Sequence, residues 1–163
     1  PKPVIACVQG TATAAGCQLV SACDLAIAAS DAHFCTPGVN VGAFCTTPLV
    51  GIGRNVSRKH AMEMLLMGEL IDAETALRHG LLNKVVAADD LDAAVMEYAT
   101  SINGRSTLTM SMGKAAFYQQ MDMELDDAYA FASDVMARNM QEHDAHEGID
   151  AFLQKRSPEW KGR

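Results

Sequence analysis

Pro3-Val4-Ile5-Ala6-Cys7-Val8-Gln9-Gly10-Thr11-Ala12-Thr13-Ala14-Ala15-Gly16-Cys17-Gln18-Leu19 is the stretch on which the reading of this chain turns. Residues 4–8 are apolar and partly β-branched with no alternation, the pattern of a strand covered on both faces. Gln9-Gly10 ends it, and a run of small residues, 11–16, leads into a helix-like segment, 17–23, with Leu19 and Cys23 on one face. The first amides of a helix have no partner within it and carry the positive end of its dipole. A strand–turn–helix of this kind can therefore hold a phosphate, a carboxylate or an enolate oxygen. Small residues serve a tight packing contact equally well, and the pattern alone leaves both readings open.

Working outward, a doubly covered strand so near residue 1 needs neighbours that the remaining sequence supplies sparingly. The expectation is a very small sheet or further sequence upstream. Leu25–Ala29 reads as a second buried strand, His33-Phe34-Cys35 as a short extended piece, and Lys84-Val85-Val86 as a third strand. Pro37-Gly38 signals a turn, and residues 39–47 show no period and read as a loop. Helices are expected over 48–52, over 58–67 after Ser57, and over 73–78 between the cap Asp72 and the stop Gly80. Beyond residue 88 every segment has helical pattern: about 89–102, 106–120, 124–142 and 145–155. The division expected is an α/β part, 1–88, and a helical part, 89–163.

With 163 residues and 49% hydrophobic content the chain can build one real core. Its net charge of −7 argues against binding along a nucleic-acid backbone. No apolar run approaches the roughly 20 residues of a membrane helix, and Pro1-Lys2-Pro3-Val4 has no targeting pattern. A soluble protein of the cytoplasm, or of the mitochondrial matrix in a eukaryote, is the expectation. The five cysteines (7, 17, 23, 35 and 45) have neither disulfide nor zinc spacing and read as reduced thiols. No metal ligand set is evident. No GxGxxG follows either strand, which argues against a dinucleotide site.

Several motifs occur in a recognisable order: Pro3-Val4-Ile5-Ala6, the turn Ala14-Ala15-Gly16 followed by Cys17-Gln18-Leu19, then Cys23-Asp24 and Pro37-Gly38-Val39. Gly68-Glu69-Leu70-Ile71-Asp72-Ala73, His79-Gly80-Leu81-Leu82-Asn83-Lys84-Val85-Val86 and Glu147-Gly148-Ile149-Asp150-Ala151-Phe152-Leu153-Gln154-Lys155-Arg156 complete the series. Together they resemble the C-terminal part of the crotonase (enoyl-CoA hydratase/isomerase) family, and within it the group named for enoyl-CoA hydratase domain-containing 3.

The resemblance implies a crotonase-like α/β spiral core, incomplete at its N-terminus, followed by a helical trimerisation subdomain. It implies an acyl-CoA thioester as ligand, no cofactor besides that substrate, and assembly as a trimer or dimer of trimers. It assigns one oxyanion-hole N–H to Ala15, with Ala14 and Gly16 beside it, and places the second donor upstream. Asn40 and Thr46 fall in the stretch that shapes the acyl pocket, and Lys155 matches a basic residue that in some members reaches the CoA nucleotide of a neighbouring subunit. Hydratases of the family carry two glutamates as acid and base; the matching positions here are Gln18 and Gly38. Neither can exchange a proton with water, so ordinary two-glutamate hydration is not expected. Asp24 and His33 read as structural residues, and Cys45 has no base evident beside it.

Overall fold

A computed structural model describes residues 2–163 and divides the chain into two compact units. One spans Val4–Ala99; the other holds Thr100–Arg163 with Lys2 and Pro3.

The first unit contains two small sheets. Strands β1 (Ile5–Val8), β3 (Leu25–Ala29) and β6 (Lys84–Val86) form a parallel sheet in the order β1-β3-β6, with Ile5 opposite Leu25 and Ile27 opposite Lys84. In β3, Ala26 and Ala28 face one apolar cluster with Phe34, Ile52, Met64 and Leu82, while Ile27 and Ala29 face another with Leu91 and Ala94. Side chains alternate across a strand, so a strand covered on both faces is apolar at every position. That is why Leu25–Ala29 shows no hydrophobic alternation.

The second sheet corrects the expectation for residues 11–16. Thr11–Thr13 form strand β2 rather than part of a turn, parallel to β4 (His33–Cys35), which runs antiparallel to β5 (Ile71–Asp72). Ala12 is buried and both threonines face out. Three residues of period-two alternation are too short to stand out from a generic small-residue run. The turn shrinks to Ala14, and helix α1 (Ala15–Ala22) begins two residues before its expected start.

Residues 39–47 are not wholly irregular, since Pro37–Val41 wind into a 3-10 turn that Gly42 closes in the left-handed region. Helices α2 (Pro48–Asn55), α3 (Arg58–Met67) and α4 (Ala73–His79) follow. Asp72 caps α4 by accepting from the Thr75 N–H at 2.7 Å. Asn83 accepts from the Ala26 N–H at 2.7 Å and binds β3 to the strand that follows it.

Helix α5 (Leu91–Asn103) leads to α6 (Thr107–Gln120), α7 (Leu125–Asn139) and α8 (His143–Gln154). The single helix expected over 124–142 stops at Asn139: Gln141 and Glu142 donate to carbonyls three residues back, and Glu142 turns extended before α8. Neither glycine nor proline marks that break, so the pattern runs through it. In Thr100–Arg163 the buried residues are few: Ser106, Ala128, Asp144 and Ala151. Asp144 takes hydrogen bonds from the Ser106 hydroxyl (2.6 Å) and the amides of Lys161 (2.8 Å) and Gly162 (2.9 Å). Glu147 holds Arg156 at 2.6 and 2.8 Å. Polar anchors, more than an apolar centre, hold the C-terminal tail against α8.

Candidate functional site

Strands β2 and β4 run parallel with Thr13 opposite Cys35, so their C-terminal ends lie side by side. One delivers the Ala14 turn and the other delivers Pro37-Gly38. Ligands of parallel α/β sheets sit at that end of the strands. The Ala14 N–H donates to the Cys35 carbonyl at 3.0 Å and ties the turn to β4. Ala14 has φ 46° and ψ −109°, a conformation that alanine adopts only under constraint. The first bond of α1 runs from the Gln18 N–H to the Ala14 carbonyl at 3.1 Å. The amide of Ala15, the first residue of α1, lies ahead of that bond, where a helix offers its N–H groups no partner of its own. Ala15 is exposed, and α1 has no acidic residue in its first turn to answer those amides. The local geometry is that of an anion or oxyanion cradle.

Gln18 stands half-buried one turn into α1, and no hydrogen-bond partner meets its side chain among the described residues. Across the strand ends, the buried Thr36 hydroxyl donates to the Met64 carbonyl at 2.8 Å, and the Asn40 amide donates to the Gly68 carbonyl at 3.3 Å. Both bonds pin the loop after β4 to the end of α3. Asn40 is thus engaged as an anchor, and Thr46 is exposed with its N–H on the Phe44 carbonyl at 2.7 Å. The loop folds back on itself through the Ala43 N–H, which donates to the Gly38 carbonyl at 3.0 Å. A Cβ placed on Gly38 would lie 2.9 Å from the Ala43 oxygen, 3.0 Å from Cys45 Sγ and 3.2 Å from the Cys45 nitrogen.

Beneath these loops lie three buried thiols: Cys17, Cys35 and Cys45. Cys17 donates to the Ala12 carbonyl at 3.1 Å, and burial pushes it up to about 12, with its neighbours Cys35 and Cys45 adding to the effect. Burial also raises Cys35. A thiol nucleophile works as thiolate, so Cys17 and Cys35 are packing residues. Cys7, by contrast, is exposed.

A groove of about 520 Å³ runs beside the turn along Gln9, Gly10, Thr11, Gly16, Leu19 and Cys23. It follows β1 and β2, each an edge strand that pairs on one side only. A larger groove of about 790 Å³, along α3 and α4, contains none of the site residues read from the sequence. Lys155 lies in the other unit, exposed and with φ 54° at the end of α8. Asp24 accepts from the Val4 N–H at 2.6 Å, joining the chain ahead of β1 to the chain ahead of β3, and the His33 ring meets the nearby Asp31 carbonyl at 2.9 Å. No group of three His, Cys, Asp or Glu side chains that could hold a metal ion gathers among the described residues.

The sequence points to Ala15, Gln18 and Gly38 but passes over Thr36 and Gly68. Gly68 reads from sequence as a helix stop. It also packs under the loop, where a Cβ would meet Val39 Cγ2 at 2.8 Å and the Pro37 Cα at 3.2 Å. Thr36, next to a proline, carries no signal of its own.

The family model for enoyl-CoA hydratase/isomerase matches residues 1–163, the whole chain. The mouse mitochondrial protein named enoyl-CoA hydratase domain-containing protein 3 is 52% identical over 160 residues, which is 98% of this chain and 53% of that protein. The crystal structure of human enoyl coenzyme A hydratase domain-containing protein 3 superposes with a TM-score of 0.94 at 52% identity, covering 97% of this chain and 62% of that one. The Mycobacterium smegmatis structure described as an enoyl-CoA hydratase gives 0.96 at 51% identity over 98% of this chain and 62% of that one. The chain spans about half the length of the curated relatives it matches. Its fold is crotonase-like, and the chain belongs to the enoyl-CoA hydratase/isomerase family.

Proposed function

We propose that the chain carries the acyl-CoA-binding end of a crotonase-type protein. In this reading the Ala15 N–H faces the thioester oxygen, and hydration by paired glutamates is absent. The observation that carries the reading is the exposed first residue of α1, Ala15, held at the C-terminal ends of two parallel strands. A thioester oxygen that gains charge as an enolate fits its N–H donor. A second donor belongs to the part of the longer relatives that this chain does not match. Losing one oxyanion donor costs roughly 3–4 kcal/mol of transition-state stabilisation, so one alone is a weak catalyst.

Gln18 is the residue on α1 nearest the role of an acid or base, and its amide can orient a thioester or a water without exchanging a proton. The same geometry favours a second reading, a protein that binds acyl-CoA and assembles without turnover. Lys155 is proposed to meet a CoA phosphate as a point charge. A trimer or dimer of trimers is proposed to form through the apolar side chains that α6–α8 leave exposed, among them Tyr129, Met136, Phe152 and Leu153. No cofactor beyond the CoA thioester and no nucleic-acid partner belongs to this reading. Among the described residues no helix is long and apolar enough to cross a membrane, and cytoplasm or mitochondrial matrix is the proposed location.

The deciding experiment measures crotonyl-CoA hydration and CoA-ester binding by calorimetry, on this chain and on a form extended at its N-terminus with the matching part of a full-length relative. Binding without turnover selects the scaffold reading. Hydration at a kcat of about 1 s⁻¹ or more, abolished in Gln18→Ala, sinks the claim that the acid/base pair is functionally absent. Failure of both forms to bind any CoA ester sinks both readings.

A further inference from the structure

We infer that the loop over residues 37–45 is a steric lock: Gly38 is a specificity-determining residue whose bare backbone closes the loop over the second acid position and shuts a carboxylate out of it. The inference deepens the reading above and rests on its assignment of position 38.

Gly38 carries no left-handed φ, so backbone freedom does not explain its choice. Space does. Two of the three atoms that crowd its missing Cβ are backbone, the Ala43 oxygen at 2.9 Å and the Cys45 nitrogen at 3.2 Å, and the third is Cys45 Sγ at 3.0 Å. Backbone atoms cannot rotate away as the tip of a flexible side chain can. The loop that supplies them is tied to Gly38 itself by the Ala43 N–H, and Leu49 N–H draws the Cys45 carbonyl into the start of α2 at 3.0 Å.

Retreat in the other direction is closed as well. Thr36 and Asn40 are bonded to the end of α3, and Gly68 sits in the left-handed region directly against Pro37 and Val39. The segment is tied to the end of α3 through Thr36 and Asn40 and to its own returning loop through Ala43. The Ala43 oxygen and the thiol of Cys45 crowd the place that the first carbon of an acid side chain would take. The two acid positions therefore differ in kind. Gln18→Glu exchanges near-isosteric groups in the first turns of a helix, where a negative charge is favourable. Gly38→Glu needs the loop to open.

The test compares Gln18→Glu, Gly38→Ala and the unaltered chain by thermal melting and by the labelling rate of the Cys45-containing peptide with an aromatic disulfide, read by mass spectrometry. The lock predicts that Gln18→Glu melts within about 2 °C of the unaltered chain and leaves Cys45 protected. Gly38→Ala loses roughly 3–10 °C, the range expected for overpacking in a domain of this size, and labels Cys45 at least tenfold faster. A Gly38→Ala chain with unchanged melting and unchanged labelling overturns the inference. If that variant does not fold, the unaltered chain decides alone: Cys45 must label at least a hundredfold more slowly than the exposed Cys7, and comparable rates overturn the lock. Neither readout involves a CoA ester, so the lock stands or falls separately from acyl-CoA binding.

Discussion

Val4–Ala99 and Thr100–Arg163 are stabilised by different means. The first buries Phe34, Ile27 and Ile52 completely and places an apolar cluster on each face of β3. The second buries almost nothing large, leaves Phe152 82% exposed and Leu153 71% exposed, and relies on carboxylates that hold the C-terminal tail. The contrast separates a unit with a closed apolar core from one whose few buried side chains are small or polar.

Truncation is the strongest way to break the contrast. Phe34→Ala should cost about 3–5 kcal/mol in urea unfolding, the toll of a large aromatic lost from a closed core. Phe152→Ala should change the dilute chain by no more than about 0.5 kcal/mol and act instead on association, shifting sedimentation toward smaller species at high concentration. Equal losses in the two variants would show that Phe152 is covered within the single chain.

Acid titration sharpens the contrast next, because the two units carry different depressed groups. In the helical unit the Ser106 hydroxyl and the amides of Lys161 and Gly162 hold Asp144 at about 2, below its ordinary 3.8, and Arg156 holds Glu147 at about 2, below 4.5. The folded form resists protonating them, so their contribution is full above about pH 4.5 and fades as pH falls toward 2. The only tryptophan reports it: Trp160, in that tail, donates its indole N–H to the Gly104 carbonyl ahead of α6 at 2.9 Å. Trp160 emission should shift in that window, and Asp144→Asn should move the emission toward the exposed value at neutral pH. An unchanged spectrum in Asp144→Asn would show that the tail is held by other groups.

The core titrates higher. His60 and His79 stack with ring centres 3.8 Å apart, and His79 Nδ1 is buried without a hydrogen-bond partner. Burial first, then the charges of His60 and Arg78, depress His79 below its ordinary 6.5, while Glu63 opposes them. Folded His79 takes a proton less readily than the unfolded chain, so its contribution is full above 6.5 and is lost as pH drops through the lowered value. Urea midpoints should fall between pH 7.5 and 5.5, and His79→Gln should flatten that slope. A slope that survives the substitution assigns the effect to another group.

The same contrast governs what the sequence discloses. Long periodic helices such as Arg58–Met67 and the doubly covered strands Leu25–Ala29 and Lys84–Val86 are legible because one local pattern determines each. Strand β2 and the two-residue β5 are not, since they exist only through pairing with β4. At the site, Ala15, Gln18 and Gly38 can be located by motif order. The reason Gly38 is glycine lies seven residues away in Cys45, and the role of Gly68 lies 28 residues from Asn40. Contacts across such separations leave no periodic trace.

The smallest expected effect concerns the turn itself. Ala-Ala-Gly announces a tight corner, and Gly16 is the residue composition would place in the left-handed region. The structure puts Ala14 there instead, at φ 46°, while Gly16 begins the helix with an ordinary φ. An alanine so placed stores about 1–3 kcal/mol of strain, and glycine would relieve it at an entropic cost of about 0.5–1 kcal/mol. Ala14→Gly should therefore raise the melting temperature by about 2–4 °C, corresponding to roughly 1 kcal/mol in a domain of this size. The gain belongs to the core unit and should leave the Trp160 acid transition where it was. A lower melting temperature would mean that the Ala14 methyl contributes packing worth more than the strain. In that case the turn is held by its side chain rather than by the Cys35 carbonyl that its N–H meets at 3.0 Å.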